Sequence, residues 1–235
     1  MRGIVVGFGE VGRALARVLN DVWPIEVTDK SPGIVPMSGS FEIMHVCFPY
    51  FYKDPFDNLV EEVKRYQKQY GPKYTVIHST VAVGTSRLCG AIHSPVRGMH
   101  PDLTEGIKKF VKFIGGENAS EVADYFRRAG MRVMLFDKPE TTEAMKLFDT
   151  EYYRACIEFA KRVKRYCDKH DLNFHEVYTL ANETYNLGYY ELGHQEFMRP
   201  VLQPIMTEKI GGHCVMPNSE LIKLSEEESG QKNEK

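Results

Sequence analysis

The ten residues from Gly3 to Gly12, G-I-V-V-G-F-G-E-V-G, constrain this chain more than any other stretch. Gly7, Gly9 and Gly12 form G-x-G-x-x-G directly behind the apolar run Gly3-Ile4-Val5-Val6, and Glu10 to Asn20 continues at helical spacing, with Val11, Ala14, Leu15, Val18 and Leu19 on one face. A strand that turns into a helix in this way uses the first glycine for the turn. The second lets a pyrophosphate approach the backbone, and the third lets helix and strand pack closely. The anion then sits on the helix N-terminus, where unpaired N–H groups and the macrodipole favour negative charge. A second apolar run, Ile25 to Thr28, ends in Asp29. An acid there accepts the ribose hydroxyls and repels a 2′-phosphate, which favours NAD over NADP. The sequence therefore predicts an NAD site formed by Gly7, Phe8, Gly9, Glu10, Val11, Gly12, Asp29 and Lys30, with S-adenosylmethionine as the competing ligand for such a loop.

Strand and helix signals alternate behind this unit. Ile43–Phe48, Tyr74–His78, Phe110–Ile114 and Val133–Phe136 read as strands; Asp54–Tyr70, Val83–Ala91 and a stretch from Asn118 to Ala129 read as helices, the last opened by capping-box spacing between Asn118 and Glu121. The expected fold is α/β, a Rossmann-type doubly wound, mostly parallel sheet followed by a smaller helical domain. The pattern changes near Lys138-Pro139. One long helix is expected from Thr141 to about His170, its apolar side marked by Ala144, Leu147, Phe148, Tyr152, Ala155, Phe159, Val163 and Tyr166, and another from Phe174 to Thr184. The aromatic stretch Asn186–Ile210 has weak periodicity. Expected boundaries are 1–138 for the nucleotide-binding domain, 139–224 for a helical substrate and dimerisation domain, and 225–235 for a solvated tail without apolar residues.

Composition adds exclusions. A net charge of −2 offers no general attraction to nucleic acid or an anionic membrane. No apolar run is long enough to span a bilayer and no signal-peptide pattern is present, so the expected setting is the cytoplasm. The five cysteines (Cys47, Cys89, Cys156, Cys167 and Cys214) lack paired spacing and are expected as reduced thiols. No metal-ligand spacing links them to the eight histidines, and no metal site is expected. The long helix is apolar around much of its circumference, which points to a homodimer paired through it.

Five segments, in order, carry a resemblance to the UDP-glucose / UDP-N-acetylmannosamine dehydrogenase family. The glycine fingerprint is the first. His78-Ser79-Thr80-Val81-Ala82-Val83-Gly84-Thr85 resembles that family's S-T-V-P-V-G-T segment beside the nicotinamide, which adds Ser79 and Thr80 to the cofactor set. Pro101-Asp102-Leu103-Thr104-Glu105-Gly106, with Phe113-Ile114-Gly115-Gly116, is similar to its P-E-x-L-x-E-G and I-G-G pair. Thr142-Glu143-Ala144-Met145-Lys146-Leu147 resembles the start of its central helix, and Gly211-Gly212-His213-Cys214-Val215 its G-G-H-C segment. The family oxidises a primary alcohol twice, to a carboxylate, with two NAD. The resemblance implies Cys214 as the nucleophile that forms a thiohemiacetal and Lys146 as the cation that stabilises alkoxide charge or relays a proton. Read from the residues alone, Cys214 is equally a small buried apolar side chain and Lys146 a solvated lysine.

The chain departs from the family in three places. Thr150 stands where the family has an asparagine, and its hydroxyl donates one hydrogen bond. Asn218 stands where the family has an aspartate, and it cannot act as a general base. The family's further UDP-gripping domain has no counterpart after Cys214, so UDP would be held another way, by a partner chain, or the substrate is not a UDP-sugar. His93, Arg97 and His100 fall where ligands bind in open α/β sheets, and Arg97 can clamp a carboxylate or phosphate; a loop held by satisfied histidines is the alternative. The expected substrate set is Arg97, His100, Asp102, Glu105 and His213, with Tyr185, Tyr189, Tyr190, His194 and Arg199 lining a replacement pocket or a dimer interface. Two readings of function follow. One is an NAD-dependent oxidoreductase acting on an alcohol of a sugar-derived or small anionic substrate, possible with a single oxidation centred on Lys146. The other is a non-catalytic NAD-binding sensor or scaffold.

Overall fold

Three strands buried along their whole length form the centre of the sheet: β1 (Gly3–Val6), β3 (Ile43–Val46) and β4 (Tyr74–Ile77). Strands covered on both faces read as continuous apolar runs rather than alternating ones, which is why they stand out in the sequence. The computed structural model describes residues 1–31, 33–34, 39–50, 57–98, 103–204 and 220–226. It adds β2 (Ile25–Thr28), β5 (Ile92–His93), β6 (Lys112–Gly115) and β7 (Val133–Phe136), giving a seven-stranded sheet in the order β2-β1-β3-β4-β5-β6-β7. Every pairing is parallel except β5 with β6. Gly3 lies opposite both Ile25 and Ile43, so the strand order reverses at β1.

Helices cover both faces. On one face α1 (Glu10–Asn20), α4 (Leu103–Lys109) and α5 (Ala119–Arg128) bury Leu15, Leu19, Ile107 and Phe126 against Val5, Ile43, Val76 and Ile114. On the other, α2 (Asp57–Tyr70) packs Leu59, Val63 and Tyr66 against Ile4, Val6, Met44 and Ile77, joined by Leu147 and by Leu221 from a helical stretch at 220–226. Ser225 ties that stretch down: its hydroxyl accepts the Val83 N–H at 3.1 Å and donates to the Leu221 carbonyl at 2.7 Å.

Two compact units result, Met1–Leu147 with the segment from Glu220, and Phe148–Ser219. The second unit holds most of α6 (Pro139–Lys169), a π-helical stretch His175–Leu180, α7 (Ala181–Glu191) and a 3₁₀ turn at Gln195–Phe197. Asn186 fastens the return segment to α7, its amide donating to the Arg199 carbonyl and accepting the Arg199 N–H, both at 2.8 Å.

Four elements differ from the sequence reading, each for a local reason. The helix at 83–91 shrinks to α3 (Thr85–Leu88), because Gly84 and Gly90 both take positive φ and close it at either end. β5 has two residues, too few for any periodicity. α4 has seven residues with Gly106 inside, a weak helical signal. β6 starts two residues later than expected because the Phe110 N–H is used by the Gly106 carbonyl at the end of α4.

Candidate functional site

The three glycines of the β1–α1 turn each meet a different constraint. Gly7 has φ +92°, and a Cβ there would lie 2.7 Å from the Phe48 nitrogen. Gly12 is closer still: a Cβ would stand 1.9 Å from the Gly7 carbonyl oxygen, so only glycine lets α1 approach β1. Gly9 is the opposite case, with nothing within 4 Å of its Cβ position. A loop compressed at both ends and open in the middle, at a helix N-terminus with no side-chain cap, has the form of a phosphate cradle. Asp29 follows β2. Its Oδ2 accepts the Phe8 N–H at 2.6 Å and its Oδ1 the Ser31 N–H at 2.8 Å. The Phe8 bond is the largest of the effects that hold its carboxyl below the usual range. It is therefore an anion at neutral pH, and each oxygen keeps a lone pair for a ribose hydroxyl. Glu10 opens α1, and exposed Lys30 pairs with Glu62 at 3.5 Å.

Ser79 and Thr80 follow the carboxyl end of β4, one strand beyond β3, on the sheet edge at which open α/β sheets bind ligands. The Ser79 hydroxyl donates to the Phe48 carbonyl at 2.5 Å. Lys146, on the second turn of α6, acts electrostatically on buried His93. Two neighbours of Lys146 on α6 have no signal in the sequence that sets them apart. Glu143 is fully buried, its Oε2 accepting the Gly84 N–H at 2.6 Å and its Oε1 the Ser86 N–H at 2.8 Å. Thr142, also buried, places its hydroxyl 2.8 Å from His93 Nδ1, while His93 Nε2 lies 3.2 Å from the Ser79 carbonyl. In the sequence both look like ordinary polar residues of a helix's first turn. Only their burial separates them from that class.

Arg97 lies with its guanidinium over the rings of Phe113 and Phe110, at 4.8 and 5.4 Å, and Glu105 is exposed on α4. Thr150 sits four residues beyond Lys146 on α6, within the second unit. The expected site residues His100, Asp102, His213, Cys214 and Asn218 lie outside the described residues. In the second unit, the Arg199 guanidinium stacks on Tyr185 at 3.5 Å, Tyr185 meets Tyr189 at 4.7 Å, and His194 Nδ1 pairs with Glu196 at 2.9 Å. Arg199 also lines a cavity of about 250 Å³ with Cys156, Phe159, Tyr178 and Asn182. In the first unit, a cavity of about 310 Å³ opens among Arg87, Glu117, Asn118, Asp137 and Lys138, none of them in the glycine turn.

A buried polar chain lies between the sheet and α5, unanticipated from sequence. His78 Nδ1 is 2.7 Å from the Ser94 carbonyl, which can only accept, so Nδ1 carries the hydrogen. His78 Nε2 then accepts from His45 Nδ1 at 3.0 Å, and His45 Nε2 accepts the Tyr125 hydroxyl at 3.0 Å. Burial keeps both rings neutral, His45 falling to about 3. Lys112 Nζ reaches the Ser94 carbonyl at 3.2 Å and lies 5.2 Å from the centre of the Phe126 ring. Burial lowers its pKa to about 7. Among the described residues no cluster of histidine, cysteine and carboxylate side chains could hold a metal ion, and no helix is long and apolar enough to cross a membrane.

Solved structures of the same architecture exist. The UDP-N-acetylmannosamine dehydrogenase of Pyrococcus horikoshii superposes with a TM-score of 0.73 at 19% identity, over 94% of this chain and 63% of that one. The UDP-N-acetylmannosamine dehydrogenase of S. aureus gives 0.67 at 17% identity, over 97% of this chain and 67% of that one. This chain shares their fold. It spans less than two thirds of the length of the first. A conserved protein of unknown function, described as structurally similar to 3-hydroxyacid dehydrogenases, gives 0.62 at 16% identity over 83% of this chain and 81% of its own. No family model and no curated protein matches the sequence. The fold expected from sequence, a Rossmann-type mostly parallel sheet with added helices, is the fold observed.

Proposed function

We propose that this chain is an NAD-dependent oxidoreductase related to the nucleotide-sugar dehydrogenases, oxidising an alcohol of a sugar-derived or small anionic substrate. The observation that carries this reading is the glycine turn, open over Gly9 and closed at Gly7 and Gly12, with the Asp29 anion at the end of the next strand. Bound NAD supplies the hydride acceptor. The backbone of Gly7–Gly12 would hold its pyrophosphate, Asp29 its ribose hydroxyls, and Ser79 and Thr80 its nicotinamide side. An ionised Asp29 repels a 2′-phosphate, which favours NAD over NADP. Lys146 would polarise the substrate oxygen and stabilise developing alkoxide charge, with Thr150 donating one hydrogen bond. Cys214 would serve as the thiol nucleophile of a second oxidation, with Asn218 nearby in sequence. Arg97, His100, Asp102, Glu105 and His213 would contact the substrate. The same proposal makes the protein a cytoplasmic homodimer.

The test is NADH formation from NAD with a panel of UDP-sugars and small hydroxy acids, using the native protein, Lys146→Met and Cys214→Ala. Turnover lost in both variants supports thiol-dependent double oxidation. Turnover that survives Cys214→Ala but not Lys146→Met supports a single oxidation. NAD binding without turnover on any substrate would replace this reading with a sensor or scaffold role, which Thr150 and Asn218 in place of the family's amide and carboxylate would then explain.

A further inference from the structure

A carboxylate with no exposed surface is unfavourable unless it is hydrogen-bonded, and burial does push the Glu143 carboxyl up. Its two acceptors are spent on one place. The Gly84 and Ser86 N–H groups open α3, where Gly84 has φ +99° and no side chain to cap the helix. Helix starts leave such donors without partners, and here a neighbouring element supplies the cap from α6. Thr142 fastens the other end of the same segment. The Ser79 carbonyl only accepts, so His93 Nε2 carries a hydrogen towards it, and His93 Nδ1 is left as an acceptor 2.8 Å from the Thr142 hydroxyl, whose single hydrogen it shares with the Pro139 carbonyl at 2.9 Å. The first turns of α6 are also seated tightly on the sheet: a Cβ at Gly115 would lie 2.8 Å from the Thr142 hydroxyl and 2.7 Å from the Lys138 carbonyl. The span Ser79–Gly84 is thus tied to the helix turn that precedes Lys146 directly at Gly84, by Glu143, and through His93 at Ser79, by Thr142.

We infer that Glu143 and Thr142 are positioning residues, which fix the segment Ser79–Gly84 against α6 so that the nicotinamide end of a bound dinucleotide is held at the turn that bears Lys146. The inference rests on the dinucleotide reading given above. It predicts a split between the two halves of the cofactor. ADP-ribose uses the glycine turn and Asp29 but has no nicotinamide, whereas NADH uses both halves.

The experiment measures NADH and ADP-ribose affinity, and the fluorescence of bound NADH, for the native protein, Glu143→Gln and Thr142→Val. Loss of one charge-assisted bond at the segment should weaken NADH by about tenfold and lower its bound fluorescence, with ADP-ribose affinity unchanged. Glu143→Asp, which keeps the charge on a shorter stem, should recover part of the loss. NADH affinity that survives in both Glu143→Gln and Thr142→Val overturns the inference. So does a parallel loss of both ligands together with a lower melting temperature, which marks a purely structural role. Should Glu143→Gln fail to fold, Thr142→Val decides: selective loss of NADH supports the inference, and unchanged NADH affinity overturns it. Failure of the native protein to bind either ligand would instead remove the dinucleotide reading itself, and the inference with it.

Discussion

Lys112 is the side chain most at odds with its surroundings. It begins β6 beneath the Phe126 ring, hydrogen-bonded to the Ser94 carbonyl and facing His78, with His45, His93 and the Cys47 thiol around it. None of these offers a formal negative charge at neutral pH, since burial lifts Cys47 to about 12. With Lys112 at about 7 in the folded protein and about 10.4 in the unfolded chain, the unfolded chain binds one more proton throughout the interval between them. Stability contributed by this group is therefore complete above the unfolded value and declines as pH falls towards 7, with a slope of about 1.4 kcal/mol per pH unit. Replacing the amine with a methyl thioether, Lys112→Met, should stabilise the protein near pH 7 and remove that slope. Urea unfolding of the two proteins at pH 7, 8 and 9 would show the gap between them closing as pH rises. A constant gap would mean that the folded amine stays charged. Asp29 was legible from sequence because it follows a strand and a glycine turn in a recognised order. Lys112 was not, because a lysine at a strand start looks solvated until the fold closes over it.

At the scale of the element, the β1–α1 turn separates folding from binding residue by residue. Gly12→Ala forces a methyl group to within 1.9 Å of the Gly7 carbonyl oxygen, a backbone atom that no side-chain rotation can move aside, and should cost about 1–3 kcal/mol of stability. Gly9→Ala adds its methyl to open space at a φ of −71°, which alanine adopts freely, so stability should hold. The methyl would occupy the approach of the pyrophosphate, and NADH affinity should fall at least about tenfold. Urea unfolding and a fluorescence titration check the two halves of this prediction; a Gly9→Ala protein that binds NADH normally would move the phosphates elsewhere. The turn was legible because its chemistry is local. What escaped the sequence was cooperative or short: two-residue β5 lacks a period, α4 carries Gly106, and the π-helical stretch at His175–Leu180 reads in sequence as an ordinary helix. Glu143 escaped for a related reason, since its partners Gly84 and Ser86 lie some sixty residues away in the chain.

At the scale of the whole molecule, the long helix sets the open question. The sequence places Phe148, Tyr152, Phe159 and Tyr166 on its apolar side, yet in the single chain these are 57%, 62%, 48% and 57% exposed. Of its apolar side chains, Leu147, Ile157, Ala160 and Cys167 are buried, only Leu147 among them belonging to the expected apolar side. A stripe of large apolar side chains left in water along one helix is the mark of an interface, and a second copy of the chain is the occupant that the expected homodimer supplies. Two-fold pairing is self-complementary, so a charge placed near the axis of such a patch meets its own copy. The double variant Tyr152→Glu with Phe159→Glu should therefore leave the fold of each chain intact while separating the pair. Light scattering after gel filtration should give twice the 27.0 kDa chain mass for the native protein and the single mass for the variant. A native protein that elutes at the single mass sinks the dimer. A variant that stays paired moves the interface away from this stripe, and the exposed aromatic side chains of α6 would then need another partner.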